Sequence, residues 1–165
     1  MAYEIERKFL IEYPDIEKLE NFEGSYKSEI EQTYLKTDDG MTSRIRKRTT
    51  NGATKYIFTE KKRITDVKFI ENESDLSEDE AEELLKLADP ERRTVCKTRY
   101  CLPFNGRTVE VDIYPFWNDR AIAEVEMESE DEVLLLPDCI KVIREVTSEM
   151  AYKNYSIAKE IPADC

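Results

Sequence analysis

Val109-Glu110-Val111-Asp112-Ile113 and Ala123-Glu124-Val125-Glu126-Met127 read alike: apolar at every odd position, acidic at every even one. Each is therefore a strand with one dry face and one face of a single charge sign. The pattern extends in both directions from this pair. Glu4, Glu6 and Lys8 share a face near the start of the chain, and Glu71 and Glu73 share another. Basic residues sort in the same way: Arg44, Arg46 and Arg48 lie on one face, Lys97 and Arg99 on another, and Lys61 ends a strand that also carries Thr59. Eight strands are expected, over about 2–11, 27–36, 41–49, 54–62, 68–75, 94–103, 107–114 and 121–129. Asp38-Asp39-Gly40, Asn51-Gly52 and Asn105-Gly106 supply tight-turn chemistry between consecutive strands, which makes those pairs antiparallel hairpins.

Three helices are expected around these strands. A short one follows Pro14. A second runs from Ser77 to about Ala88, opened by the capping box Ser77-Glu78-Asp79-Glu80, striped by Ala81, Leu84, Leu85 and Ala88, and stopped by Pro90. A third, near Ser148 to Lys159, puts Met150, Ala151, Tyr155 and Ala158 roughly along one side. Residues 129–140 form one irregular connection.

Composition narrows the function classes. At 165 residues, with no repeat and no linker, the chain is expected to be a single domain over 1–165. A formal net charge of −12 argues against nucleic acid or an anionic membrane as a partner. No apolar run reaches transmembrane length and no secretory leader is visible, so a cytoplasmic protein is expected. Cys96, Cys101, Cys139 and Cys165 form no CxxC pair, and reduced thiols are the simplest account. The chain has no histidine, which excludes Ser-His and Cys-His nucleophiles and a histidine base.

A half-wet sheet is the ordinary origin of apolar/polar alternation. Residues i and i+2 on one strand face are only roughly 7 Å apart, so like charges repel there. A solvated face mixes signs, whereas here the sign is uniform within a strand and changes between strands. Folding does not require that sorting, but a ligand does. Carboxylates suit a hard divalent cation, and Lys and Arg suit a polyanion. The expected fold class is α+β, mainly β: a closed eight-stranded antiparallel barrel, just wide enough for one small ligand, with charged faces inward and helices packed outside.

Glu4-Ile5-Glu6-Arg7-Lys8-Phe9-Leu10 resembles the ExExK signature of the CYTH superfamily, the triphosphate tunnel metalloenzymes. Arg44-Ile45-Arg46, Thr59-Glu60-Lys61, Glu71-Asn72-Glu73, Lys97-Thr98-Arg99-Tyr100, Glu110-Val111-Asp112 and Ala123-Glu124-Val125-Glu126 follow in the family's order. Glu145-Val146-Thr147 and Tyr152-Lys153-Asn154, with Ala158 beyond, resemble its closing segment. The resemblance covers essentially the whole chain.

It implies a tunnel in which Lys8, Arg44, Arg46, Lys61, Lys97, Arg99 and Lys153 hold phosphate oxygens. Glu4, Glu6, Asp112, Glu124 and Glu126 would serve Mg²⁺ or Mn²⁺, with Glu71, Glu73 and Glu110 balancing charge around them. The catalytic set would be Glu6, Glu124 and Lys8. Two positions depart from the family pattern. Phe69 stands where members often carry an arginine, and Lys61-Lys62-Arg63 replaces a glycine-bearing loop. Lys61 and Lys62 are therefore rivals for the tunnel-facing place, one register slip apart.

The expected activity is metal-dependent hydrolysis of a small-molecule triphosphate, inorganic tripolyphosphate above all, as in the small bacterial tripolyphosphatase branch. Thiamine triphosphatase and class IV adenylyl cyclase are the enzymatic alternatives, and Tyr114, Phe116 and Trp117 are the candidates for stacking on their organic group. A nucleotide- or polyphosphate-binding module is the non-catalytic alternative. A homodimer is left open.

Overall fold

The computed structural model describes residues 2–37 and 40–162. Asp38 and Asp39 of the expected first turn, and Cys165, lie outside the described residues. Nine strands form one sheet: β1 (Ala2–Glu12), β2 (Tyr26–Leu35), β3 (Met41–Thr50), β4 (Ala53–Arg63), β5 (Lys68–Leu76), β6 (Val95–Phe104), β7 (Arg107–Ile113), β8 (Arg120–Glu126) and β9 (Val142–Glu145). Their order is β5-β4-β3-β2-β6-β7-β8-β1-β9, and a further β5–β1 pairing closes the first eight into an antiparallel barrel. β1 carries both seams. Residues 6–12 pair β8, residues 2–5 pair β5, and residues 9–11 pair β9.

The eight expected strands are all present. The two described two-residue turns have the backbone their sequences predict, with positive φ at Asn51 and Gly52 and again at Asn105 and Gly106. β9 was not expected. It is four residues long, has no alternation of exposure, and extends the sheet only beside β1.

The outward faces are apolar and covered. Phe9, Ile11, Val109, Val111, Ala123 and Val125 pack with Leu19 of α1 (Ile16–Glu20) and with Leu134, Leu136 and Ile140 of the irregular connection. Leu35 and Ile45 pack against Ala81 of α2 (Glu78–Leu85), whose Ser77–Glu80 capping box is formed in both directions. The inward phase changes character along the barrel. Leu10, Tyr34 and Ile122 continue the faces that carry Lys8, Gln32 and Glu124, yet they pack with Val146, Tyr152, Ile157 and Ala158. This end of the barrel is plugged with apolar side chains, each worth about 1.5–3 kcal/mol when fully buried.

The expected continuous helix over 148–159 is instead a 3₁₀ turn (Met150–Tyr152) and a single helical turn, α3 (Asn154–Ile157), separated by extended backbone at Lys153 with ψ 140°. Met150 and Ala151 are exposed, while Tyr152, Asn154, Ile157 and Ala158 are buried. The break serves the interior: Tyr152 turns into the plug and Lys153 turns into the cavity above it.

Candidate active site

The barrel interior holds a cavity of about 580 Å³, within the usual range for a small-ligand site. Among the described residues, eight cationic and seven acidic side chains line it. The chain's net charge of −12 therefore lies elsewhere, and the cavity is balanced or slightly positive.

β1 and β8 build the acidic corner. Glu6 faces Glu126 and Lys8 faces Glu124 across the ladder, so period-2 alternation brings Glu4, Glu6 and Glu124 together. One carboxylate oxygen from each of these three lies within 4.8 Å of the others. Glu6 Oε2 is buried without a hydrogen bond, its nearest recorded cation being Lys61 Nζ at 3.9 Å. Burial, then the neighbouring Glu6, pushes the Glu124 carboxyl up, against the pull of Lys8 at 3.7 Å. Three crowded carboxylates, one of them with an unbonded buried oxygen, fit a hard divalent cation, beside Lys61 and Lys8. Glu126 is more exposed and stands outside this trio; burial and Glu110 raise its carboxyl.

Lys61 settles the register question: it faces inward, 2.8 Å from Glu4 and 3.5 Å from Glu71, while Lys62 is exposed on the outer face. Burial lowers the Lys61 ammonium, but Glu6 and Glu4 outweigh it and the net shift is upward. Phe69 also points inward, with Lys61 Nζ 5.1 Å and Lys153 Nζ 5.0 Å from its ring centroid. The position that departs from the family pattern thus holds two cations by their charge–quadrupole attraction.

The basic wall is β3. Arg44, Arg46 and Arg48 all line the cavity, as their common phase predicts. Arg46 donates from Nε and Nη2 to Gln32 Oε1 at 2.9 and 2.5 Å. Arg48 donates to Ser28 Oγ at 3.1 Å and to Cys101 Sγ at 3.5 Å. Arg44 Nε is buried with no hydrogen-bond partner. Among the described residues, none of these three guanidiniums meets a carboxylate within ion-pair distance. Burial, then Arg44 and Arg99, lowers Arg46 to about 9, which leaves it protonated at neutral pH. Lys153 Nζ is likewise buried without a hydrogen bond, and burial followed by Lys8 lowers it to about 8.

Two expected members sit elsewhere. Lys97 and Asp112 do not line the cavity. Asp112 accepts from Arg99 Nε and Nη2 at 2.7 and 3.0 Å and pairs with Lys97 Nζ at 2.8 Å, all three groups being almost wholly buried. Asp112, expected among the metal ligands, is instead the anion of a closed internal network. Its carboxyl is held far below the usual range, because Arg99 and Lys97 outweigh the cost of burial. Arg99 does reach the cavity, but it also donates to Glu110 at 2.9 Å and arrives fully compensated.

Several lining residues stood outside the expected list. Arg48 shares the phase of Arg44 and Arg46, as alternation shows, and Arg63 shares that of Lys61, so the same alternation reaches it. Tyr155, Met41 and Met150 also line the cavity, and only the third dimension brings them there. Tyr114 stacks on Phe116, Trp117 meets both edge-on and Tyr152 at a tilt, and the cluster lies away from the cavity. No helix among the described residues is long and apolar enough to cross a membrane. Cys96, Cys101 and Cys139 are free thiols.

Comparison with known proteins agrees with this geometry. The sequence matches the CYTH domain family over residues 2–159. The inorganic triphosphatase NE1496 is similar at 30% identity and a TM-score of 0.59, with 98% of each chain covered. PH1819 from Pyrococcus horikoshii OT3 shares the fold at 23% identity and a TM-score of 0.60, over 78% of this chain and 80% of that one. HpAC1 from Hippeastrum, an adenylyl cyclase candidate described as having a dominant triphosphatase activity, shares it at 17% identity and a TM-score of 0.51, over 76% and 80%. No curated protein matches the sequence.

Proposed function

The chain belongs to the CYTH domain family, and from that premise we propose that it hydrolyses a triphosphate, inorganic tripolyphosphate foremost, to diphosphate and phosphate. The observation that carries this reading is one cavity in which an arginine wall without carboxylate partners meets a cluster of three carboxylates. A polyanion supplies what the wall lacks, and a divalent cation supplies what the cluster lacks.

Arg44, Arg46 and Lys153 bind the anionic oxygens, with Arg48 further along β3. Guanidiniums engage phosphate oxygens two at a time and fix the chain's orientation as well as its charge. Glu4, Glu6 and Glu124 would hold Mg²⁺ or Mn²⁺, with Glu126 at the rim. Such a cation, when bound, neutralises phosphate charge and acidifies water. In hydrolysis a water oxygen bonds to the terminal phosphorus, the bridging P–O bond breaks, and diphosphate leaves. The chain has no histidine, so the water's proton goes to a carboxylate, with Glu6 and Glu124 the candidates. Lys8 and Lys61, already beside those carboxylates, stabilise charge on the transferred phosphoryl group. A module that only bound anions would gain nothing from three carboxylates in its binding cavity.

One observation favours a second reading. Tyr155, Met41 and Met150 give the cavity an apolar margin that inorganic tripolyphosphate does not use and an organic ring would. Thiamine triphosphatase or class IV adenylyl cyclase activity is the reaction that margin would serve. Phosphate release from tripolyphosphate, ATP and thiamine triphosphate, with Mg²⁺, Mn²⁺ or EDTA, separates the readings. The expected result is metal-dependent release strongest on tripolyphosphate and reduced at least about 100-fold in Glu6→Gln. Cyclic AMP and diphosphate from ATP, with little free phosphate, would replace the hydrolase reading with the cyclase.

A further inference from the structure

Gln32 is completely buried in β2 and does not line the cavity. Its amide nonetheless determines how Arg46 presents itself. Oε1 accepts from both Nε and Nη2 of Arg46, and Nε2 donates to the Tyr34 hydroxyl at 3.2 Å. The orientation of the amide follows from chemistry: a guanidinium only donates, so the oxygen must face it. A carboxylate at this place would accept the same two bonds, and more strongly.

The same cavity shows what that alternative looks like. Arg99 is gripped in the same two-pronged way, but by Asp112, with Glu110 on its remaining edge, and its charge is cancelled on the spot. Arg48 repeats the neutral pattern, held by the hydroxyl of Ser28 and the thiol of Cys101, whose pKa burial raises. Neutral holders are thus the rule on β3 and anionic holders the rule on β6.

We propose that Gln32 is a positioning residue that fixes the guanidinium of Arg46 by hydrogen bonds while leaving its charge uncompensated for the phosphate chain. The role is electrostatic as much as geometric. An amide fixes the side chain and leaves the full charge facing the ligand, and a carboxylate would fix it and spend that charge. The inference rests on the reading of the cavity as a triphosphate site.

Gln32→Glu tests it, because the shape and both bonds to Arg46 are kept and only the charge changes. Binding of inorganic tripolyphosphate is measured by calorimetry, alongside thermal unfolding and steady-state phosphate release. The expected result is affinity lowered about tenfold with an undiminished thermal midpoint, and a rise in KM exceeding any fall in kcat. Gln32→Met, which removes the bonds without adding charge, should weaken binding less than Gln32→Glu. A purely structural residue would give the reverse order, and that order overturns the proposal. Unaltered affinity in Gln32→Glu overturns it too, with the hydrolase reading untouched. Wild-type binding without phosphate release would sink the hydrolase reading alone. No binding of tripolyphosphate by the wild type would sink both.

Discussion

β3 and the β6–β7 pair carry the same kind of sequence signature, charges of one sign on alternate residues, and put it to opposite uses. On β6–β7, Lys97, Arg99, Asp112 and Glu110 pair by charge with one another, although Lys97 Nζ makes no hydrogen bond, and only Arg99 and Glu110 reach the cavity. On β3, Arg44, Arg46 and Arg48 lean on an amide, a hydroxyl and a thiol, or on nothing. One region spends its charge on the fold, and the other keeps it for a ligand. Among the inward arginines, those open to an anion are the ones whose partners are neutral.

The largest effect should come from breaking the compensated side. Asp112→Asn leaves Lys97 buried without its anion and Arg99 with Glu110 alone, and chemical denaturation should register a loss of about 3–5 kcal/mol. If that variant kept its stability and lost only activity, β6–β7 would belong with β3 and the contrast would fail. Arg46→Met should do the reverse. It should change stability by only about 1 kcal/mol and lower kcat/KM for tripolyphosphate about 10–100-fold, as expected for a lost hydrogen-bonded charge.

The smallest effect sharpens the comparison from a third side, through Lys153. Held to about 8 by burial and Lys8, its ammonium should lose its proton on the alkaline side of neutrality. The kcat/KM profile should then fall as pH rises past about 8, by a few-fold, and Lys153→Met should remove that limb. The sign for stability is opposite. Between about 8 and the ordinary lysine value of 10.5 the unfolded chain holds more of the proton, so stability should rise with pH while affinity declines. Parallel movement of the two would show that Lys153 is a structural cation.

Much of this was legible in the residues. Period-2 alternation gives each strand and each face, so Arg44, Arg46, Glu4, Glu6 and Glu124 are found without coordinates. Alternation does not give depth along the barrel. Asp112 and Glu124 have the same phase and the same kind of neighbours, yet Asp112 lies opposite Ile122, toward the plugged end, and Glu124 opposite Lys8. A hint was available, since Leu10 and Ile122 carry the charged phase into apolar residues. The closing segment departs from its sequence pattern for a related reason. Apolar residues at 150, 151, 155 and 158 suggest one helical stripe, and nothing local announces the extended backbone at Lys153. That conformation is set by what the side chain must reach.

The double seam on β1 has a consequence for how the molecule is made. Of these nine strands β1 is made first, but its main partner β8 and its neighbour β9 follow more than a hundred residues later. Until then one edge of β1 can find only β5, and through only four residues. Closure must wait until β8 is made, a long-range pairing of the kind that slows folding and leaves an unpaired edge exposed meanwhile. The carboxylate trio obeys the same schedule: Glu4 and Glu6 are made early, Glu124 late, and no half-finished chain can assemble all three.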